Sequence, residues 1–265
     1  MTSVEARVAE LTAVDVAQQL GAALVYLAVA VAVLGQAPRD RRTQVFCALG
    51  VTNAAAFIVT SAAWFMGVKN PMQMNRLTLG LSLAALGLGG VLLFHFSQVF
   101  PKRRPWIRGS GIQLPVAYAL IPIIVVTLTR LWPADPAQLT AFFVLLLLVF
   151  GFPLMVLLGF VLPVGAVLSL ARSYREATDT PVTPDPRPVL AAILLSQIAG
   201  GVLAILFAPI LGVVAPDSLS LKIVTTTIWG LSLLTPLAFA AGVWKYKLLE
   251  IDPDGEPVRE ATLPD

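Results

Sequence analysis

Seven stretches of this chain are each apolar and long enough to cross a bilayer, and none carries an acidic residue or a lysine in its interior. A helix needs about 20 apolar residues to span roughly 30 Å of hydrocarbon, and such stretches lie near 15–35, 44–67, 77–100, 113–132, 139–170, 188–213 and 223–247. With 57% of residues hydrophobic and 12% charged, and a mean hydropathy of +0.84, a soluble fold would lack the polar side chains to cover its surface. The pattern predicts an all-α integral membrane protein, a seven-transmembrane-helix bundle. It divides into a short N-terminal interfacial segment over 1–14, a transmembrane domain over 15–250 and a short tail over 251–265.

Basic side chains near span ends are retained on the cytoplasmic side, so the loops set the orientation. With the N-terminus outside, the inner loops and tail hold Arg39, Arg41, Arg42, Lys102, Arg103, Arg104, Arg108, Arg172, Arg175, Arg187, Lys245, Lys247 and Arg259, against Arg7, Lys69, Arg76, Arg130 and Lys222 outside. Thirteen against five predicts N-terminus out and C-terminus cytoplasmic. The net charge of +3 then reports topology and gives nucleic-acid binding no support. Trp64, Trp132 and Trp229 are expected at the outer interface, and Trp106 and Trp244 at the inner one.

The first 14 residues hold Glu5 and Glu10 rather than a basic cluster before an apolar core, so no cleavable signal sequence is expected. Val4, Val8, Leu11 and Val14 share one helical face, which predicts a short interfacial helix or an extension of the first span; a frayed terminus is the alternative. Cys47 is the only cysteine and is expected to be a buried, inert thiol. Prolines mark where helices bend. The 32-residue fifth stretch holds Pro153 and Pro163 and, at about 48 Å, must tilt, kink or project from the bilayer. Thr235-Pro236 in the seventh is either a hinge or a static kink.

Small residues recur every four positions in the sixth span at Ala192, Ser196, Gly200, Ala204 and Ala208, and Ser82, Ala85 and Gly89 repeat the pattern in the third. Such faces admit a neighbouring backbone, either within the bundle or from another subunit, so Ser196, Gly200 and Ala204 are candidate contact residues. Asn53, Thr60, Ser61, Ser196, Gln197, Thr225, Thr226 and Thr227 read as interhelical hydrogen-bonding groups.

The chemistry is narrowed mainly by elimination. No Asp, Glu, Lys or Arg lies at mid-span, where proton pumps and ion-coupled transporters keep ionisable groups. Residues 223–244 lack the lysine a retinal Schiff base needs, and one histidine in the whole chain excludes an intrachain bis-histidine haem. A non-enzymatic protein is therefore expected. That histidine, His95, lies near the end of the third stretch. It is either a neutral imidazole bonded to a neighbouring helix, or a pH-responsive group or axial ligand to a partner-supplied porphyrin or chlorophyll.

Leu93-Phe94-His95-Phe96-Ser97-Gln98-Val99-Phe100-Pro101, followed by Lys102-Arg103-Arg104-Pro105, resembles the third-helix exit of the seven-helix membrane regions that precede bacterial sensor histidine kinases. Pro236-Leu237-Ala238-Phe239-Ala240 and then Lys245-Tyr246-Lys247-Leu248-Leu249-Glu250-Ile251-Asp252 is similar to the way their last helix leaves the membrane. The resemblance implies a module of the bacterial inner (plasma) membrane that senses or docks. The chain departs from that family in its last 13 residues, Pro253 to Asp265, which contain neither a phosphoacceptor histidine nor an ATP-binding domain. Two expectations follow: a module that docks or senses and acts through a separate partner, or an accessory scaffold subunit of a respiratory or photosynthetic membrane complex. In either, the lipid bilayer and another membrane or cytoplasmic protein are the partners, and Lys102, Arg103, Arg104, Lys245 and Lys247 are the expected docking residues.

Overall fold

Helices form where the apolar stretches lie, because a backbone in an apolar setting must satisfy its own N–H and C=O groups. The structure, a computed structural model, describes residues 3–65, 76–101, 113–131, 161–179, 185–211 and 219–250. They form seven α-helices: α1 (Ser3–Gln36), α2 (Arg41–Phe65), α3 (Arg76–Val99), α4 (Gln113–Leu131), α5 (Leu162–Asp179), α6 (Arg187–Leu211) and α7 (Leu219–Trp244). A short 3-10 turn, Leu248–Glu250, follows α7, and no strand occurs among the described residues.

Four of these helices are long and apolar enough to cross a membrane, over Val16–Gln36, Arg41–Ala62, Gly80–Val99 and Thr226–Trp244, and a shorter apolar helix covers Arg187–Leu203. Outward faces across the bundle, α4 and α5 included, are apolar too. Leu24, Val31, Ile123, Leu168 and Leu195 are each more than half exposed, an arrangement that suits hydrocarbon rather than water. This is a multi-pass membrane protein.

The helices pack in a ring, α1–α2–α3–α5–α6–α7, which closes by contact between α7 and α1, while α4 packs against α3. Val29 and Val33 of α1, Phe46 and Leu49 of α2, Phe96 and Phe100 at the end of α3, Ala166 and Leu170 of α5, Leu190 and Ile193 of α6 and Phe239 of α7 meet in one buried core. At its centre Phe239 lies 4.2 Å from Phe46 and 5.1 Å from both Phe96 and Phe100, centroid to centroid. The core sits at the end of the bundle where the α1–α2 turn, the α3 exit, the α6 start and the α7 exit converge. These segments carry Arg39, Arg41, Arg42, Arg187, Lys245 and Lys247, and we call this the basic end.

Three glycines set how closely the ring closes. A Cβ on Gly50 would lie 2.8 Å from Ala30 Cβ and 3.2 Å from the Tyr26 carbonyl oxygen, so α1 and α2 cross at backbone contact. At Gly165 it would meet the Phe94 ring at 3.1 Å, and at Gly242 Leu248 at 3.0 Å and Val189 at 3.2 Å. The small-residue stripe of α6 behaves differently along its length. Ser196 is buried against α7, whereas a Cβ on Gly200 would meet nothing within 4 Å among the described residues; Ala204 lies farther along the same helix. In the stripe of α3, Gly89 faces Asn53 of α2.

The N-terminal residues from Ser3 onward continue α1 without a break over 34 residues, about 51 Å, so the extended first helix is what forms. Cys47 is only partly buried on α2 rather than fully enclosed, because that face of the helix points away from the ring core. Of the fifth apolar stretch, residues 139–160, with Pro153, lie outside the described residues. Its end continues as α5 to Asp179, burying Ala166, Leu170, Ser173 and Ala177 on one face. The opposite face carries the exposed pair Arg172–Glu176 at 3.0 Å, an i,i+4 contact that contributes little in water.

Candidate functional site at the basic end

The local sequence Asp-x-Arg occurs at the start of two helices and is used in two ways. At α6, Asp185 accepts from the Arg187 backbone N–H at 3.0 Å and from its Nε at 2.9 Å, and the Arg187 side chain stays partly exposed. Hydrogen bonds from the Arg187 side chain hold the Asp185 carboxyl below its ordinary range. At α2, Asp40 caps the helix by accepting from the Arg42 backbone N–H at 2.7 Å, but here the arginine turns into the bundle. Arg42 is 2% exposed.

Every one of the five guanidinium donors of Arg42 finds an acceptor. Nε donates to both Asp40 oxygens at 3.1 Å, and Nη2 donates to Asp40 Oδ2 at 2.7 Å and to the Leu249 carbonyl at 3.2 Å. Nη1 donates to the carbonyls of Pro101 and Leu248, each at 3.2 Å. One cation thus joins the α1–α2 turn, the exit of α3 and the chain leaving α7. The turn itself is tied by the Thr43 hydroxyl, which donates to the Ala37 and Asp40 carbonyls. A buried charge is tolerated only when it is paired and its hydrogen bonds are complete, and this one is both.

The chain leaves α7 through a reversal. Lys245 and Tyr246 both donate backbone N–H groups to the Ala241 carbonyl, at 2.8 and 3.2 Å, and Lys247 takes a left-handed backbone with φ of 50°. This turns Leu248 back so that it is 1% exposed, lying beside Gly242. Lys245 and Lys247 are left exposed, with Lys245 Nζ 5.5 Å from the centre of the Tyr246 ring. Of the expected docking residues, Lys102, Arg103 and Arg104 lie outside the described residues; they follow directly on Pro101, whose carbonyl Arg42 holds.

His95 points elsewhere. Its Nδ1 lies 3.0 Å from the Tyr118 hydroxyl of α4, with the two rings edge to face at 69°. The imidazole is 7% exposed, and its Nε2 is buried with no hydrogen-bond partner among the described residues. An axial ligand must present that nitrogen to an open face. Here it is enclosed within the chain. The contact with α4 is the neighbouring-helix reading of this residue.

A second polar group lies deeper in the ring, at Pro236 of α7. Proline has no N–H, so the carbonyl one turn earlier, at Ser232, loses its helical donor; the Tyr26 hydroxyl of α1 donates to it instead at 2.8 Å. A directed chain runs alongside: Gln197 donates to the Thr235 hydroxyl at 3.0 Å, Thr235 to Ser196 at 3.0 Å, and Ser196 to the Leu231 carbonyl at 2.6 Å. Ser61 joins α2 to Gln19 of α1 at 3.0 Å. Asn53 and Thr60, expected to bond between helices, instead reach carbonyls of their own helix, Leu49 and Ala56, the nearest acceptors for a side chain in an apolar setting.

In the sequence Arg42 is only one more inner charge, and nothing in it distinguishes Tyr26. The capping aspartate two residues before Arg42 was a signal, but Asp185 and Arg187 carry the same spacing without burial. No protein-family model matches this chain, and neither a curated protein nor a solved structure matches it.

Proposed function

We propose that this chain is a non-enzymatic bacterial plasma-membrane module that docks or senses and acts through a separate partner protein at its basic end. Seven spans with the N-terminus outside and the C-terminus cytoplasmic complete the reading, on the thirteen-to-five distribution of Lys and Arg. The observation that carries it is the Arg42 clamp, which holds the α3 and α7 exits against each other. Pro101, after which the basic segment 102–104 follows in sequence, therefore lies at the same end of the bundle as the exposed Lys245 and Lys247. A set of cations presented beside the chain exit suits the recognition of an acidic protein surface. The resemblance of the third- and seventh-helix exits to those of sensor-kinase membrane regions supports the same end as the output side.

Orientation is tested by cysteine labelling in a Cys47→Ala background. Cysteines replacing Arg41, Arg104 and Arg175 are expected to resist a membrane-impermeant thiol reagent in intact cells, and one replacing Asp217 to react. The reverse pattern removes the orientation.

Docking is tested by purification from the native membrane, comparing the wild type with Arg103→Lys/Arg104→Lys. Attraction to anionic lipid headgroups, worth about 1 kcal/mol per basic residue, survives an Arg-to-Lys exchange, whereas bidentate contacts to a protein carboxylate do not. Reduced recovery of one specific protein is the expected result. Equal recovery of the same proteins from both would mean that these arginines do not dock a partner. Co-purification of electron-transfer or pigment proteins would instead favour the accessory-subunit reading.

A further inference from the structure

We infer that Lys245–Glu250 is a strap that closes over the basic end and opens as a unit, held shut by the Arg42 guanidinium and the Leu248 side chain while the body of α7 stays in place. The body and the strap are secured by different means. The α7 body is anchored on both sides of its proline: Tyr26 and Ser196 bond the Ser232 and Leu231 carbonyls, and Phe239, 1% exposed, sits in the aromatic core. Moving it would break all of these together.

The strap has much less. Its last turn shares two hydrogen bonds with the rest of the ring through Arg42, to the Leu248 and Leu249 carbonyls. Among its described side chains Leu248 is the one fully buried, and Tyr246 and Leu249 are partly buried beside it. Its backbone is strained as well: the left-handed region costs a lysine free energy that a glycine would not lose. Local opening is drawn from segments held by few buried contacts, and this one meets that description.

Opening has a chemical consequence. When the strap leaves, Arg42 loses two of its five acceptors and keeps Asp40 and the Pro101 carbonyl. Its free N–H groups then need water or an acid to replace the lost carbonyls. The state of the α7 exit is thereby registered at the α3 exit through one side chain.

Hydrogen exchange on the purified full-length protein in lipid nanodiscs tests this. In the wild type, amides of 246–250 are expected to exchange faster than those of 237–243, as a separate unit. Arg42→Lys, which keeps the charge but has only three donors for the five acceptors that Arg42 holds, should accelerate exchange over 246–250 by about tenfold and leave 237–243 unchanged. Lys247→Gly relieves the left-handed residue and should slow the strap relative to wild type, the opposite sign. Should Arg42→Lys fail to fold, Lys247→Gly and the wild-type rates decide alone. One common exchange rate for strap and α7 body, or a strap indifferent to Lys247→Gly, overturns the inference. Because exchange is read without a partner, the outcome is independent of whether any protein docks at the basic end.

Discussion

Arg42→Ala is expected to destabilise the protein by about 3–5 kcal/mol, the usual result of removing one partner from a buried charge pair. The loss has three parts. Asp40, whose side chain is only 15% exposed, is left with an uncompensated charge. The carbonyls of Pro101, Leu248 and Leu249 lose their donor. A cavity also opens between three segments that otherwise touch through this side chain. The control is Arg187→Ala. It removes the same residue from the same Asp-x-Arg spacing, but at a site exposed to solvent, where an ion pair contributes little. Thermal denaturation in detergent, followed by the accessibility of Cys47 to a thiol-reactive dye, should show a large fall for Arg42→Ala and little change for Arg187→Ala. Equal effects would mean that burial does not distinguish the two arginines. Removing Asp40 together with Arg42 should recover part of the loss, since no charge is then left unpaired.

Gly50→Leu is expected to give the second large effect. Even a methyl group at Gly50 would lie 2.8 Å from Ala30 Cβ, and Ala30 is fully buried, so neither partner can rotate away. Overpacking a well-packed contact costs about 1–3 kcal/mol for small insertions, and a leucine exceeds what the crossing can absorb. The strain also travels. Forcing α1 from α2 displaces Tyr26, which donates to the carbonyl freed by Pro236 on α7. Gly50→Leu should therefore shift most of the protein from the monodisperse peak in fluorescence-detected size-exclusion chromatography. Gly200→Leu makes the same chemical change where no described residue lies within 4 Å of the added Cβ, and its profile should match the wild type. If both variants behave alike, close approach at Gly50 is not what seats α1 on α2.

The positions of the helices were legible because span length and apolar composition are local properties. The stretches 44–67, 77–100, 113–132 and 188–213 coincide within a few residues with Arg41–Phe65, Arg76–Val99, Gln113–Leu131 and Arg187–Leu211. Pro236 was legible as a break for the same reason: its missing N–H belongs to the residue itself. So was the possibility that α1 begins well before its apolar span, since Val4, Val8, Leu11 and Val14 already keep the helical period.

What the sequence alone could not determine is which partner each residue meets, because that depends on the order of helices in the ring and on how far each is rotated about its axis. Gly50 and Gly200 are chemically identical and both lie within apolar helices. Only the crossing of α1 over α2 places Ala30 against the first. Arg39, Arg41 and Arg42 are adjacent charges that the charge rule weighs alike, yet Arg42 alone is the one that the helix start turns inward to meet the chain ends after α3 and α7. His95 follows the same logic, since its burial and its bond to Tyr118 exist only because α4 packs beside α3. Composition and period decide that a segment is a helix in an apolar setting; tertiary packing decides which of its faces, and so which of its side chains, is taken out of contact with everything but its neighbours.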